Sequence, residues 1–583
     1  MSAIVNALDN HTLQQLGENG HVEYGWSNNI QEQILQFSFQ VVRSNEYGIQ
    51  NLKIILKDIL NNLKNKVSNS DIVERQLAKE YLCILYKIIG QTRDIIDGKG
   101  EYTLAYMMIH TWYEFYPVLS MFALKCFVDL NTDHQYGSWK DIKYFSDYCK
   151  NQNTDVKQPL IEYAINLLND QLMKDVVSLN SNQRISLAAK WAPREKSKFS
   201  WLYQELATNY FAKYLDSAIG VQKYEKAVIK AKTNYRKLLS RLNKEIDTLQ
   251  IKQCGQEWSK IDFKNVTSIS LSKQKKAFLN IKKNGEYRYP NNHDRNSCAY
   301  HFKDYIEKTV NSETEMKGKR VGMADFVKQA RELYENKNSS QVERDLLNSQ
   351  WRDSCALNGE LGNMIPMVDI SESMTLDNAL NVAIALGIRI SEKSVLSNRI
   401  MTFSLNPRWI NLESCSDFVD KVEVIEESDV GYNTNFYKAL NLILDTIIEN
   451  KMDPSDVENM VLAVLSDMQI DEAVDLRQNQ DSKTLYAEIA QKYADAGMRV
   501  HGKPYKPPHI LFWNLRSTQG FPCLSYENNV SMMSGYSPSL LNDFCNKGID
   551  AIKSFTPWSS LISSLEKKRY QILSDRLNEE IIV

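Results

Sequence analysis

Five oxygen-bearing side chains stand in a pattern that could gather a metal ion. Asp369, Ser371 and Ser373 alternate in the string Asp369-Ile370-Ser371-Glu372-Ser373, so one carboxylate and two hydroxyls can converge from a single tight loop. Thr434 offers a further hydroxyl from Gly431-Tyr432-Asn433-Thr434-Asn435. Asp467 offers a second carboxylate directly after the apolar run Met460–Leu465. Oxygen-only donors in this number suit a hard ion such as Mg2+, or another divalent cation, which keeps several of its own waters.

A second set of residues could do different chemistry. Arg194, Lys196 and Lys198 crowd between Trp191 and Trp201. Tyr235, Arg236, Lys237 and Arg241 fall on one predicted helix, and Lys273, Lys275 and Lys276 form a third cluster with Lys282 and Lys283. Cations pair with phosphates, and neighbouring aromatic rings stack on unpaired bases. These clusters predict an RNA partner, single-stranded or structured and non-coding. The same residues also fit a plainer reading, with both tryptophans in the core and the lysines on solvated faces.

Signatures of catalysis are missing. None of the eight His stands in an H-E-x-x-H string, and no G-x-x-x-x-G-K-[ST] loop occurs. Asp97-Gly98-Lys99-Gly100 lacks that spacing and predicts a turn between helices. The nine Cys show neither a CxxC nor a zinc-type spacing, which argues against a disulfide framework and a zinc finger. Cys254 and Cys298 read as inert thiols. The sequence therefore predicts binding, not catalysis.

The elements that must position these residues fall into two grammars. From about residue 30 to 350 apolar positions recur at helical spacing, as in Asn51–Leu60, Glu74–Ile89, Tyr102–Asp129 and Tyr224–Leu249. Residues 1–355 are therefore predicted to be almost entirely α-helical, with a polar loop or insertion over 282–322. After residue 360, short apolar runs alternate with helical patterns: Met364–Val368, Ile400–Phe403, Met460–Leu465, Ile510–Trp513 and Val530–Met533. Buried strands alternating with helices predict a doubly wound α/β domain over about 360–555, followed by a helical tail over 556–583. In such sheets, binding sites lie beyond the carboxyl ends of the strands. That is where the D-x-S-x-S string stands.

Charge divides the chain in a related way. The 583 residues carry a formal charge of −2. Residues 1–350 hold 49 basic against 40 acidic side chains, and residues 351–583 hold 21 against 32. The excess is concentrated in 151–300, with 26 basic and 14 acidic side chains. A basic segment favours a polyanion. With 43% hydrophobic residues the chain can bury a sizeable core, so disorder is excluded as its main state. No apolar run approaches the ~20 residues a bilayer span needs. The first residues show no secretory pattern, so a reducing, cytoplasmic setting is expected.

The three-loop oxygen pattern resembles the metal-ion-dependent adhesion site (MIDAS) of the von Willebrand factor A domain. Asp369, Ser371 and Ser373 match its first loop, Thr434 its second-loop threonine and Asp467 its third-loop aspartate. The resemblance implies a Rossmann-like domain whose ion keeps one position open for a carboxylate from an acidic protein ligand. The helical part is similar to the Ro ribonucleoprotein (TROVE) module, on Thr92-Arg93-Asp94 with Asp97-Gly98-Lys99-Gly100-Glu101, and on Tyr136-Gly137-Ser138-Trp139-Lys140-Asp141. That module implies an array of HEAT-like helical repeats, closed by an A domain in the same order as here. Over nearly the whole chain the sequence resembles a Ro-like branch known from plants, fungi and large DNA viruses. The matching strings are Trp191–Ser197, Trp258–Phe263, Ser466–Gln469 and Phe512–Leu515. For a viral source, a virion location is a further expectation. The function this implies is RNA binding with a metal-dependent ligand face. The alternative is a protein-interaction or structural scaffold that docks an acidic partner through Mg2+.

Overall fold

The computed structural model describes residues 13–18, 20–130, 133–336, 340–403, 406–428, 436–470, 484–545 and 552–582. Helices follow one another from Ile30–Gln40 to Gln341–Cys355. Their starts are set locally. Asn29 accepts from the backbone N–H groups of Gln31 and Glu32, and Asp71 from those of Val73 and Glu74, which satisfies donors a helix leaves free at its first turn. Two features depart from expectation, one from the all-helical reading and one from the loop predicted over 282–322. A small antiparallel hairpin, β1 (Gln14–Leu16) with β2 (Val22–Tyr24), precedes the helix Ile30–Gln40. The polar stretch 282–322 contains the helix His293–Val310, capped by Asn292. Its buried residues are Arg295, Cys298, Ala299, Phe302, Tyr305, Ile306 and Thr309. That is a helical stripe, but three of its seven members are Arg, Cys and Thr, and this thinned the apolar signal.

The C-terminal part is a six-stranded sheet in the order β5-β4-β3-β6-β7-β8. Its strands are β3 (Asn363–Asp369), β4 (Arg399–Phe403), β5 (Arg408–Asn411), β6 (Met460–Ser466), β7 (His509–Asn514) and β8 (Val530–Ser534). All pairs are parallel except β4 with β5. The antiparallel edge strand β5 was not legible in the sequence, because only Ile410 of its four residues is buried. The chain runs from β3 outward to β4 and β5, then returns to the other side of β3 to lay down β6. The loops after β3 and β6 therefore diverge, and a crevice opens between them.

Both faces of the sheet are covered. Ile365, Met367, Leu462, Val464, Ile510 and Phe512 join a core continuous with the N-terminal helices. Met364, Val368, Val461, Ala463, Leu511 and Trp513 pack into a second core with Ala379–Lys393, Phe418–Glu427 and the array helix Met323–Glu335. The last helices of the array thus serve as a layer of the α/β part. Among the described residues, no helix is long and apolar enough to cross a membrane.

The C-terminal helices Pro557–Leu565 and Gln571–Glu580 do not hang free. They pack against the early helix Ile72–Arg93. Arg569 forms two bonds to Asp94, at 2.6 and 2.7 Å, and the Tyr570 hydroxyl donates to the same carboxylate at 2.9 Å. Nearby, Arg93 pairs in the same two-pronged way with buried Asp141, at 2.8 and 2.7 Å. Gly137 lies so close that a Cβ there would fall 2.3 Å from Asp141 Oδ2. Lys99 lies in the predicted turn but is buried. Its ammonium donates to Ser38 O, Val41 O and the Ser534 hydroxyl at 2.8, 2.9 and 2.7 Å. The strings Thr92–Glu101 and Tyr136–Asp141 are thus the joint where the array, the strand β8 and the helices of 557–580 meet.

One buried histidine gives this fold an acid limit. His509, in β7, is 1% exposed and lies 3.0 Å from the Ser531 hydroxyl. Burial pushes it down to about 4. An unfolded chain titrates it near 6.5, so its contribution is complete above about pH 6.5 and is lost as pH falls through 4. His509→Gln is expected to remove on the order of 2 kcal/mol of the stability lost between those pH values. Urea melts at pH 7 and 4.5 measure this; an unchanged difference between the two would refute it.

Candidate functional site

Asp369 ends β3 and Asp467 follows β6, so adjacent parallel strands deliver two carboxylates to the same sheet edge. Both are fully buried. Asp369 Oδ1 accepts the Ser371 backbone N–H at 3.0 Å, and Oδ2 accepts the Ser466 hydroxyl at 2.5 Å. The Ser371 and Ser373 hydroxyls stand 3.1 Å apart. Asp467 Oδ1 accepts the Gln469 N–H at 3.1 Å, across a turn in which Met468 takes a left-handed conformation (φ 64°). Asp467 Oδ2 accepts from Arg516 Nε at 2.8 Å. Burial, then the neighbouring Asp467 charge, pushes Asp369 up to about 7. Of the five predicted donors the fold brings four to this edge. Thr434 lies outside the described residues.

Sequence reasoning overlooked the roles of Ser466 and Arg516. Ser466 links the two carboxylate loops, and its hydroxyl also accepts the Met468 N–H at 3.0 Å. Arg516 stands two residues after β7, at the same carboxyl edge, so the strand-end rule that found Asp467 could have found it too. The hairpin leans on this loop cluster. Glu18 N donates to Gln469 Oε1 at 2.7 Å, and the Glu18 carboxylate sits 3.3 Å from Arg516 Nη2. A cleft of about 530 Å3 opens beside them, between the helix Glu46–Val67 and the loop Arg516–Gln519.

The donor set fits a hard divalent cation. It is made of oxygens, and among the described residues the Asp369 carboxylate accepts from a hydroxyl and a backbone amide and pairs with no cation. Among the described residues no group of three or more His, Cys, Asp or Glu is placed to hold a metal ion.

The predicted basic residues separate. Arg194, Lys196 and Lys198 are exposed on the turn before the helix Ser200–Tyr210. Arg236, Lys237, Arg241 and Lys273 are exposed too, with Arg236 3.4 Å from Glu195 and Arg241 donating to Asn180. Lys276 is half-buried and faces Glu343 at 3.9 Å. Lys275 is a correction. It is 7% exposed and donates to Gln329, because it lies on the same helix face as Leu271 and Phe278, which packs inward. Tyr235 is also buried, with its hydroxyl on Asn169.

The structure gathers a basic cluster that the sequence did not outline. Lys143 lies 5.1 Å from the centre of the Trp191 ring and 5.3 Å from that of Tyr144. Lys198 lies 4.6 Å from Phe199, Lys140 5.4 Å from Tyr102, and Lys190 5.8 Å from Trp191. Lys140 and Lys143 belong to the helix Lys140–Gln152, about 50 residues before Lys190 and Lys198. Partial burial lowers the pKa of Lys140, Lys143 and Lys190; the Lys140 and Lys198 charges lower Lys143 further. Among the described residues none of these four lysines forms an ion pair. Trp191 and Trp201 are half-buried, each with one side on the core.

Comparison with known proteins adds two family matches and one relative. Residues 146–357 match a family described as Domain of unknown function (DUF2828), and residues 363–571 match Domain of unknown function (DUF7788). The two matched stretches meet just ahead of β3, and the second includes the helix Pro557–Leu565. The chain is also 27% identical over 509 residues to "Uncharacterized protein L728" of Acanthamoeba polyphaga mimivirus, covering 83% of this chain and 79% of that protein.

Proposed function

We propose that this protein is a Ro-like, non-catalytic RNA-binding protein, in which an array of HEAT-like repeats is closed by a von Willebrand factor A domain with a metal-dependent ligand face. The observation that carries the RNA reading is the cluster of Lys140, Lys143, Lys190 and Lys198 over Tyr102, Tyr144, Trp191 and Phe199. Ammonium groups without an ion pair among the described residues, three of them (Lys140, Lys143 and Lys190) partly desolvated, seek anions, and the accessible rings of Tyr102, Tyr144 and Trp191 offer stacking surfaces for bases, whereas Phe199 is buried beneath them. Asp369, Ser371, Ser373 and Asp467 would hold a divalent ion, with Thr434 added by the resemblance. When bound, that ion would supply a positive centre for an anionic oxygen of a partner. Ser466 and the Ser371 N–H fix the Asp369 carboxylate for that role.

The test is filter binding of a labelled single strand across a salt series. Changing Lys140, Lys143 and Lys198 together to Ala is expected to flatten the salt slope by about two units, at ~0.7 per single-strand phosphate contact. Affinity should fall by a similar factor on every sequence, because phosphate contacts carry little sequence information. A single strand should bind better than a blunt duplex, whose bases are not splayed. An unchanged slope, or no binding at low salt, would replace this reading with the scaffold alternative.

A further inference from the structure

Arg516 occupies the acidic site in a way the metal reading does not account for. Asp467 Oδ1 is committed to the Gln469 N–H within its own turn, so Oδ2 is the oxygen left to face a cation. Arg516 takes it, with both Nε and Nη2 at 2.8 Å. Among the described residues the guanidinium is therefore the positive charge of this site, one charge for two buried carboxylates. Its Nη2 also reaches Glu18, at 3.3 Å, whose side chain is 62% exposed. The same guanidinium thus touches a buried carboxylate and a solvated one.

The backbone that carries Arg516 is anchored. Its N–H donates to Asn514 Oδ1 at 3.1 Å, the Leu515 N–H donates to Ser466 O at 3.0 Å, and Asn514 Nδ2 donates to Phe39 O at 3.1 Å. Any exchange of partners must come from the side chain. The cleft beside it, lined by Glu18, Arg516, Ser517 and Thr518, leaves that side chain room to swing. A divalent ion on Asp467 Oδ2 and a guanidinium on the same oxygen would put two cations within a few ångströms in a desolvated place, where repulsion is strong.

We infer that Arg516 is a tethered competitor of the divalent ion: it neutralises Asp467 when the ion is absent and moves to Glu18 when the ion binds. This rests on the metal reading above and sets how tightly the site holds its ion. Removing a merely structural arginine would loosen the site and weaken ion binding. Removing a competitor strengthens it, so the sign of the change separates the two.

The experiment is calorimetric titration of the full chain with MgCl2, together with thermal unfolding in a chelator. Arg516→Met is expected to bind Mg2+ about tenfold more tightly than wild type and to melt lower without the ion. Glu18→Gln removes the second resting place and is expected to bind several-fold more weakly. Arg516→Lys keeps a tethered charge, should fold if the Met variant does not, and is expected to stay within about twofold of wild type. If wild type binds Mg2+ and Asp369→Asn does not, but Arg516→Met binds equally or more weakly than wild type, Arg516 is no competitor and the metal reading stands. If neither wild type nor Arg516→Met takes up Mg2+, the metal reading falls and this inference with it.

Discussion

Arg569→Ala is expected to cost about 3–5 kcal/mol of stability, the range for breaking a buried pair from one side. Asp94 is fully buried, and the Arg569 side chain is 7% exposed. Among the described residues, removing the guanidinium leaves Asp94 the hydrogen bonds of the Tyr570 hydroxyl and the Ile96 N–H, with the Arg93 and Arg320 charges beyond ion-pair reach. Two hydrogen bonds do not replace a counter-charge in a place that water does not reach. The Arg569 backbone carbonyl also accepts the Tyr136 hydroxyl at 2.6 Å, so loosening this segment disturbs the Tyr136 string as well. Asp94→Asn should cost less than Arg569→Ala, because it removes the charge that would be stranded. The double variant should cost less than the sum of the singles, since the two residues share one interaction. Arg576→Ala is the control. Its partners Glu579 and Glu580 are largely solvated, so a change below about 1 kcal/mol is expected. Denaturant melts give the order, and limited proteolysis should cut the Arg569→Ala chain first near residues 556–583. Equal stabilities for Arg569→Ala and Arg576→Ala would show that the contact between the chain's end and the array does not hold the fold together.

Asp369→Asn is expected to lower Mg2+ affinity by about a hundredfold or more while leaving the ion-free protein at least as stable. Outer residues that merely orient metal ligands already cost ten- to a hundredfold when changed, and Asp369 is proposed to touch the ion itself. The new amide keeps the shape of the carboxylate. Its oxygen can accept the Ser371 N–H, and its NH2 can donate to the Ser466 hydroxyl. It also removes one of two negative charges that share a buried edge, so the ion-free fold loses a repulsion. Asp369→Ala would be less clean, because it strands the Ser466 hydroxyl and the Ser371 N–H. Calorimetry with MgCl2 reads the first effect, and thermal unfolding in a chelator reads the second. Equal Mg2+ affinity in wild type and variant would remove Asp369 from the metal site, and a lower melting temperature in chelator would contradict the electrostatic argument.

The sequence by itself determined the elements and the composition of the acidic site. Helical periodicity announced the array, and the apolar runs at Met364–Val368, Met460–Leu465 and Ile510–Trp513 announced strands that the structure contains. The D-x-S-x-S string and Asp467 were legible because a parallel sheet brings neighbouring strand ends to one edge, so a local pattern already implies a neighbourhood; the role of Ser466 was not. Local pattern failed where polar residues replaced part of an apolar stripe, as in His293–Val310, and where a strand buries a single residue, as in β5. The tertiary structure alone decided which distant residues meet. Arg516 reaches Asp467 and Glu18, 49 and 498 positions away, and Arg569 closes on Asp94 across 475. Lys140 and Lys143 become a cluster only when Trp191 and Lys198 arrive from another segment. Charge and periodicity act along the chain within a few turns of helix. Pairing across hundreds of residues depends on how whole layers pack, because only packing removes the water that would otherwise solvate each of these charges separately.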